Sequence, residues 1–391
     1  MMEKRMIYLD NSATTPLSEV SKRAIERGMD IYGNPSSLHS MGLESRKLID
    51  EARRQVLSGL GVRQRKDGGA LVFTSSGTEA TSLALLGTAH AKERRDATRI
   101  LTTNSEHPSV ARVMDKLSAE GFEIVRISTR DGVLDMDELR AALEKKIFLA
   151  SFMLVNNETG AIYKVAEAFK TIKQKYPDAV THCDAVQGFM KVAFTPSSIS
   201  ADLVTVSAHK LHAPKGVGAL YISSNMLKAR RIVPFILGGG QEDGMRSGTE
   251  NILGITAFGA SVEDIEHRRG EISTRMEELR AYADQRLSCL DIRINRPVGE
   301  RLANIINITL PKIKSETMLH ALSADGIFVS SGSACSSHSK HPSDSLVAFG
   351  LSSAEADMSL RISMSEYNTK EDIDALCESL EKNISRLVKI K

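Results

Sequence analysis

Lys210 lies in the run Ser207-Ala208-His209-Lys210-Leu211-His212-Ala213-Pro214-Lys215-Gly216-Val217-Gly218, and a mostly apolar stretch from Ala201 to Val206 leads directly into it. A lysine delivered by a buried strand into a loop of small residues is placed to form a Schiff base. Desolvation disfavours its ammonium and leaves more of the nucleophilic amine. Upstream, His182-Cys183-Asp184-Ala185-Val186-Gln187 also ends an apolar run. A carboxylate at one strand end and an amine at another are what pyridoxal phosphate requires. The first keeps the pyridine nitrogen protonated and the second holds the aldehyde. Each residue alone has a plainer reading, a solvated lysine and a turn-forming aspartate; the ordered set carries the expectation.

The elements that must position these groups are legible as an alternation. Leu71 to Thr74, Ile100 to Thr103, Glu123 to Ile127, Phe148 to Val155, Ala179 to Cys183, Leu203 to Val206 and Ala219 to Ile222 read as strands. Thr78 to Lys92, Ser109 to Glu120, Met136 to Lys145 and Val165 to Tyr176 read as helices between them. Such alternation predicts a mostly parallel sheet covered on both faces, with ligands beyond the carboxyl ends of the strands. After about Leu253 the pattern changes to a long charged helix, Ala257 to Leu290, then shorter elements and a closing helix from Lys370 to about Val388. This part reads as a second, smaller domain, with the N-terminal segment joining it or lying along the cleft.

Composition narrows the class. The 391 residues exceed the usual single-core size, and 41% hydrophobic with 26% charged residues suits a globular enzyme. A net charge of +2 without a basic tract argues against nucleic acid as a partner. No apolar stretch is long enough to cross a bilayer and no signal-peptide core is present, so the chain reads as cytoplasmic with no membrane partner. The four cysteines, Cys183, Cys289, Cys335 and Cys377, are scattered without a CxxC pair, which implies neither a zinc site nor a disulfide framework.

Three further strand-end clusters carry polar groups. Ser75-Ser76-Gly77-Thr78-Glu79-Ala80 opens a helix, where free N–H groups and the Thr78 hydroxyl favour a phosphate; the plain alternative is Thr78 as an N-cap. Glu106-His107-Pro108 places a histidine that would stack on a cofactor ring and move protons, or else serve as a core or turn histidine. Val155-Asn156-Asn157-Glu158-Thr159-Gly160 is polar, with a turn as its plain reading.

Taken together these segments resemble the class V aminotransferase group of fold-type I pyridoxal phosphate enzymes, and within it the cysteine desulfurases. The resemblance runs from Tyr8-Leu9-Asp10-Asn11-Ser12-Ala13-Thr14-Thr15 to Leu360-Arg361-Ile362-Ser363. It includes Gly33-Asn34-Pro35-Ser36-Ser37, Gly238-Gly239-Gly240-Gln241-Glu242, Arg246-Ser247-Gly248-Thr249-Glu250-Asn251 and Ser330-Ser331-Gly332-Ser333-Ala334-Cys335. It implies an α/β fold with a large domain over residues 15–255, built on a mostly parallel seven-stranded sheet. Residues 1–14 and 256–391 would form a smaller α/β domain. It implies Lys210 as the Schiff-base lysine, Asp184 on the pyridinium nitrogen, Gln187 on the ring oxygen and His107 on the ring face. Gly77, Thr78, Ser207 and His209 would hold the phosphate. Thr249 would reach the phosphate of a neighbouring subunit, hence a homodimer. Arg361 and Asn157 would hold the substrate carboxylate.

Cys335, in its Ser/Gly-rich loop, resembles the persulfide-carrying cysteine of the group I, long-loop desulfurases. The implied reaction converts L-cysteine to L-alanine and passes sulfur to an iron–sulfur scaffold or a tRNA-thiolation protein. Selenocysteine lyase, another class V enzyme, and a pyridoxal-phosphate-binding interaction protein without turnover remain the alternatives. The sequence departs from the family pattern at Met364-Ser365-Glu366, where a Gly-Arg pair usually follows, and at Ala213, where glycine often precedes proline. The spacing Cys335-x-x-His338-x-x-His341 fits a metal on paper; solvated loop histidines are the simpler reading, and no metal is expected.

Overall fold

The structure is a computed structural model and describes residues 5–62, 69–91, 97–331 and 343–387. Its strands, in chain order, are β1 (Ile7–Tyr8), β2 (Ala70–Thr74), β3 (Arg99–Thr103), β4 (Glu123–Ile127), β5 (Ile147–Met153) and β6 (Val180–Asp184). They continue with β7 (Leu203–Ser207), β8 (Gly218–Ile222), β9 (Arg293–Ile294), β10 (Ile305–Thr309), β11 (Ile327–Phe328) and β12 (Ser359–Ser363).

Among the described residues the large sheet has seven strands in the order β2-β8-β7-β6-β5-β3-β4. All pairings are parallel except the two made by β8, which is antiparallel to both β2 and β7. The inner strands β6 and β7 are buried along their whole length, as expected of a sheet covered on both faces. All seven strands expected from the alternation are present, with ends shifted by no more than two residues. The helices Gly77–Ala89, Pro108–Ala119, Met136–Ala142 and Val165–Lys175 lie where periodicity placed them. Two more, Glu19–Met29 and Ser40–Gly59, precede the sheet and pack on the long helix Ile252–Leu287.

That long helix joins two cores. At about 1.5 Å per residue its 36 residues reach roughly 54 Å. Its first half, with Phe258, Val262 and Ile265, packs into the core of the large sheet. Its second half, with Met276, Leu279, Ala283 and Leu287, packs into a core shared with β10, β12 and the Lys370–Arg386 helix. Among the described residues this second core carries a three-stranded antiparallel sheet, β12-β10-β9, and a two-stranded parallel sheet, β1-β11. The N-terminal segment therefore pairs with the C-terminal half, Ile7 opposite Ile327, before crossing to the large sheet.

One buried ion pair fixes the loop that carries Thr249. Arg53 forks onto Glu242, with Nη1 donating to Oε2 at 2.7 Å and Nη2 donating to Oε1 at 2.8 Å. Glu242 Oε2 also accepts the Phe73 N–H of β2 at 2.9 Å, and the guanidinium lies over the Phe73 ring. Glu242→Ala leaves the arginine buried without its carboxylate and is expected to cost about 3–5 kcal/mol. The measurement is the urea midpoint of the first unfolding transition; a loss below about 1 kcal/mol, the worth of an exposed pair, would refute it.

Candidate active site

Strands of a parallel sheet end together on one edge, and the functional side chains follow those ends. Asp184 is the last residue of β6, and Lys210 closes a single 3-10 turn directly after β7. His107 follows β3, Asn157 follows β5, and Gly77 opens the helix after β2. All of them line one cavity of about 180 Å3 with Thr78, Gln187, Ser207, His209 and Arg361. The structure thus brings together every site residue named from the sequence except Thr249, which is exposed and does not line it, and Cys335. Cys335, with His338 and His341, lies outside the described residues. Among the described residues no group of three or more His, Cys, Asp or Glu is arranged to hold a metal.

The Lys210 ammonium donates to the backbone carbonyl of Ser12, and to that of Ala13 at 2.7 Å. Ser12 O also accepts Gln187 Nε2 at 2.9 Å. Burial raises the Asp184 carboxyl to about 6, against the opposing pull of the Val186 N–H at 3.0 Å and the charge of Lys210. A cationic ring nitrogen beside it would restore the ionised form.

The opposite end suits a phosphate. Ser76, not Thr78, caps the Gly77–Ala89 helix, its Oγ accepting the Glu79 N–H at 3.2 Å. The Thr78 hydroxyl is therefore not spent as the cap. A Cβ on Gly77 would come to 3.0 Å from Val186 Cγ2 and 3.3 Å from Ser207 Cβ, so any other residue here would crowd the cavity wall. Ser207 Oγ and Gln187 Oε1 are buried without a hydrogen-bond partner among the described residues. Such atoms are costly unless something fills the site. Burial, then the charge of Lys210, lowers His209 to about 3, so the ring is neutral at pH 7. These observations fit pyridoxal phosphate: orphaned oxygen partners at the helix end, a carboxylate for a ring nitrogen and a lysine between them.

His107 caps the Pro108–Ala119 helix, its Nδ1 accepting the Ser109 N–H at 3.1 Å. With Nδ1 as acceptor, the proton of the neutral ring sits on Nε2. Burial, with Lys210 and Arg361, lowers it to about 4. His107 is thus at once a helix cap and a wall of the cavity.

Arg361 is 1% exposed, on β12. Its Nη2 donates to Asp10 Oδ1 at 2.7 Å and its Nη1 donates to the Asn157 carbonyl at 3.1 Å, while Nε has no partner among the described residues. Part of the guanidinium fork is thus already committed to the protein. Asn157 acts on it here through its backbone rather than its amide. Sequence reasoning assigned no role to Asp10, Ser12, Ala13 or Glu106. The first three lie in a segment flagged only by resemblance, and no spacing rule marks a backbone carbonyl as a lysine anchor. Glu106 sits beside His107, buried, its carboxyl pushed up to about 8 by desolvation while Oε1 accepts Met153 N–H at 2.9 Å and Thr103 Oγ1 at 2.7 Å.

Comparison with known proteins agrees with this geometry. Residues 7–376 match the family model described as aminotransferase class-V. The chain belongs to the aminotransferase class-V family. It is 37% identical over 390 residues to the cysteine desulfurase IscS of Dictyoglomus turgidum, covering 98% of this chain and 96% of that one. It is 35% identical over 385 residues to cysteine desulfurase IscS 1 of Archaeoglobus fulgidus, with 98% of each covered. Among solved structures, a NifS-like protein superposes with a TM-score of 0.89 at 34% identity, over 98% of this chain and 100% of the other. A structure described as SspA in complex with cysteine gives 0.79 at 26% identity, over 93% and 99%. The family is one of pyridoxal phosphate enzymes, and its members set the expectation that this chain is an enzyme of that kind.

The raised carboxyl of Asp184 gives a test in the ligand-free protein. Its folded value exceeds the unfolded 3.8, so the proton stabilises the fold below about pH 4, and that stability is lost as pH rises through about 6. Asp184→Asn removes the ionisation cost and should stabilise the ligand-free protein at pH 7 by an amount on the order of 3 kcal/mol. Thermal midpoints of wild type and variant at pH 4 and pH 7 measure it. Parallel curves at the two pH values would sink the assignment.

Proposed function

We propose that this chain is a pyridoxal-phosphate-dependent cysteine desulfurase that converts L-cysteine to L-alanine and holds the sulfur as a persulfide on Cys335. The observation that carries the reading is one cavity shared by Lys210, Asp184, His107 and Arg361 at the carboxyl edge of the sheet, in a chain whose full-length relatives carry that name.

Lys210 would anchor the cofactor, with Asp184 on its ring nitrogen, Gln187 on its ring oxygen, and Gly77, Thr78, Ser207 and His209 on its phosphate. Bound there, pyridoxal phosphate supplies an electrophilic aldehyde and an electron sink. Arg361 draws in the substrate carboxylate with the donor capacity that Asp10 and Asn157 leave, and Asn157 adds its amide. Lys210, leaving the Ser12 and Ala13 carbonyls, takes the proton from the substrate Cα and later returns it. His107, neutral at pH 7, moves the thiol proton through Nε2. The Cys335 thiolate then attacks the substrate sulfur. An S–S bond forms, the C–S bond breaks, and its electron pair stays with carbon as that carbon gains a proton. Sulfur is oxidised and carbon reduced by the same two electrons, so alanine leaves without an outside oxidant. The persulfide would pass to an acceptor such as an iron–sulfur scaffold or a tRNA-thiolation protein.

The test is to mix the purified protein with L-cysteine and a reductant and measure alanine and sulfide, with selenocysteine in parallel. Equal yields of alanine and sulfide are expected. Cys335→Ser should keep the visible cofactor absorbance but show no added sulfur by mass spectrometry; Lys210→Ala should lose both absorbance and turnover. Full activity in Cys335→Ser, or alanine from selenocysteine alone, would overturn the reading.

The homodimer belongs to the same proposal. Thr249 is exposed and stands away from its own chain's cavity, in a loop pinned by Arg246 Nε donating to Glu79 Oε1 at 2.9 Å. It would complete the phosphate site of the partner. Sedimentation should show a dimer, and a fully active monomer would rule this out.

A further inference from the structure

Among the described residues the cofactor cavity has a single acid in its lining, Asp184. A second buried carboxyl stands one strand away. Glu106 follows β3 and is 9% exposed. It lines not the cavity but the neighbouring groove, which shares His107 and Asn157 with it. Its Oε1 accepts the Met153 N–H at 2.9 Å and the Thr103 hydroxyl at 2.7 Å. Met153 ends β5 and is the register partner of Asp184 on β6. The Asp184 carbonyl accepts the next N–H along the chain, from Leu154, at 2.8 Å. Neighbouring strands lie about 4.8 Å apart. One glutamate thus ties the end of β5 to the end of β3, beside the strand end that carries Asp184.

The other oxygen decides the charge state. Glu106 Oε2 is buried with no hydrogen-bond partner among the described residues, and Glu106 belongs to no ion pair among them. A buried carboxylate without a cation costs far more than a buried hydroxyl. Two donors already occupy Oε1, so the proton of the neutral acid belongs on Oε2. The groups that face Glu106 offer no cation. Asp184 and Cys183 come from β6, the Tyr163 phenol from beyond β5, and the neutral His107 ring from its own loop. Of the arginines in the groove, Arg112 and Arg126 pair with Asp115 at 3.3 and 2.8 Å, and Arg130 is exposed. The other buried acid of the groove, Glu158, accepts the Ser343 hydroxyl at 2.7 Å. Two carboxyls at adjoining strand ends in a dry interior do not both ionise. The charge of Lys210 favours ionisation at Asp184. Burial lifts Glu106 to about 8 and Asp184 only to about 6, which is the same order.

We propose that Glu106 is a positioning residue of the cofactor site, held as the neutral acid: it fixes the end of β5 against β3 and leaves Asp184 as the one anion for the ring nitrogen. This role rests on the pyridoxal phosphate reading of the cavity. An ionised Glu106 would set a second negative charge beside Asp184, divide the hold on the ring cation and draw His107 toward its cationic form.

Infrared difference spectra of the full-length holoenzyme at pH 7, wild type against Glu106→Gln, test the charge state. A protonated carboxyl band is expected in the wild type, lost in the variant and shifted by carbon-13 glutamate. The ring nitrogen of nitrogen-15-labelled pyridoxal phosphate, followed by NMR in the same two proteins between about pH 6 and pH 10, tests the link to Asp184. The wild-type signal should show a titration step near pH 8 that Glu106→Gln lacks; a purely structural role would not produce it. Glu106→Leu removes both hydrogen bonds of Oε1 and should lower kcat about tenfold or more, the worth of one to two buried hydrogen bonds. The KM for cysteine should change little, and Glu106→Gln should restore most of the rate. Absence of the carboxyl band, superimposable nitrogen titrations in the two proteins, or wild-type kcat in Glu106→Leu would overturn the proposal. If Glu106→Leu fails to fold, the band and the titration still decide. Neither spectrum depends on turnover, so their failure leaves the desulfurase reading standing, and a protein that releases no alanine from cysteine can still show both.

Discussion

The short segment Asp10 to Ala13 is the joint on which the site depends. Arg361 comes from the C-terminal half, is nearly fully buried, and must meet a carboxylate or carry a large desolvation cost. It meets Asp10 at 2.7 Å, across 351 positions of sequence. One residue on, Asn11 Nδ2 donates to the Ser363 carbonyl at 2.9 Å. Ser12 and Ala13 then turn their carbonyls to Lys210, and Ser12 also takes Gln187. Four consecutive residues thus tie the end of β12 to the ends of β6 and β7. Breaking the Arg361–Asp10 pair would loosen the substrate arginine and the cofactor lysine together.

The electrostatics around that joint follow from burial at a sheet edge. Asp184, Glu106, His107 and His209 are all displaced toward their neutral forms, with desolvation as the largest cause. The site accordingly holds neutral histidines and reluctant carboxyls around cationic side chains. A group carrying a ring cation and a phosphate would reverse part of this, satisfying Asp184 at one end and the orphaned Ser207 hydroxyl at the other. The stability given up at these positions in the ligand-free protein is recovered on binding, which couples cofactor retention to folding.

The departure of this chain from its family pattern at Ser365-Glu366 is absorbed locally. Glu366 has a charged or chargeable neighbour on each side, His212 from the lysine loop and Arg268 from the long helix, and Arg275 Nε donates to its carbonyl at 2.9 Å. The acidic residue therefore helps clamp the interdomain cleft rather than disturb the cofactor cavity, which it does not line. Among the described residues no helix is long and apolar enough to cross a membrane.

The sequence by itself determined the sheet and the chemistry at its edge. Strand-length apolar runs alternating with helical periodicity can be read because burial on both faces leaves a composition signal. Asp184, Lys210, Gly77 and His107 could be placed because a strand end is a position in sequence as well as in space. The helix Glu19–Met29 escapes the apolar pattern because its buried face is Ser21, Ala24 and Gly28, small residues without a large apolar side chain. The roles of Asp10, Ser12 and Ala13 were decided only by tertiary structure. Hydrogen bonding by a backbone carbonyl leaves no mark on residue type, and the partners lie nearly 200 or more positions away. The cap at Ser76 and the split commitment of the Arg361 fork are likewise products of packing. Each depends on which groups the fold sets side by side, and residue order alone does not contain that.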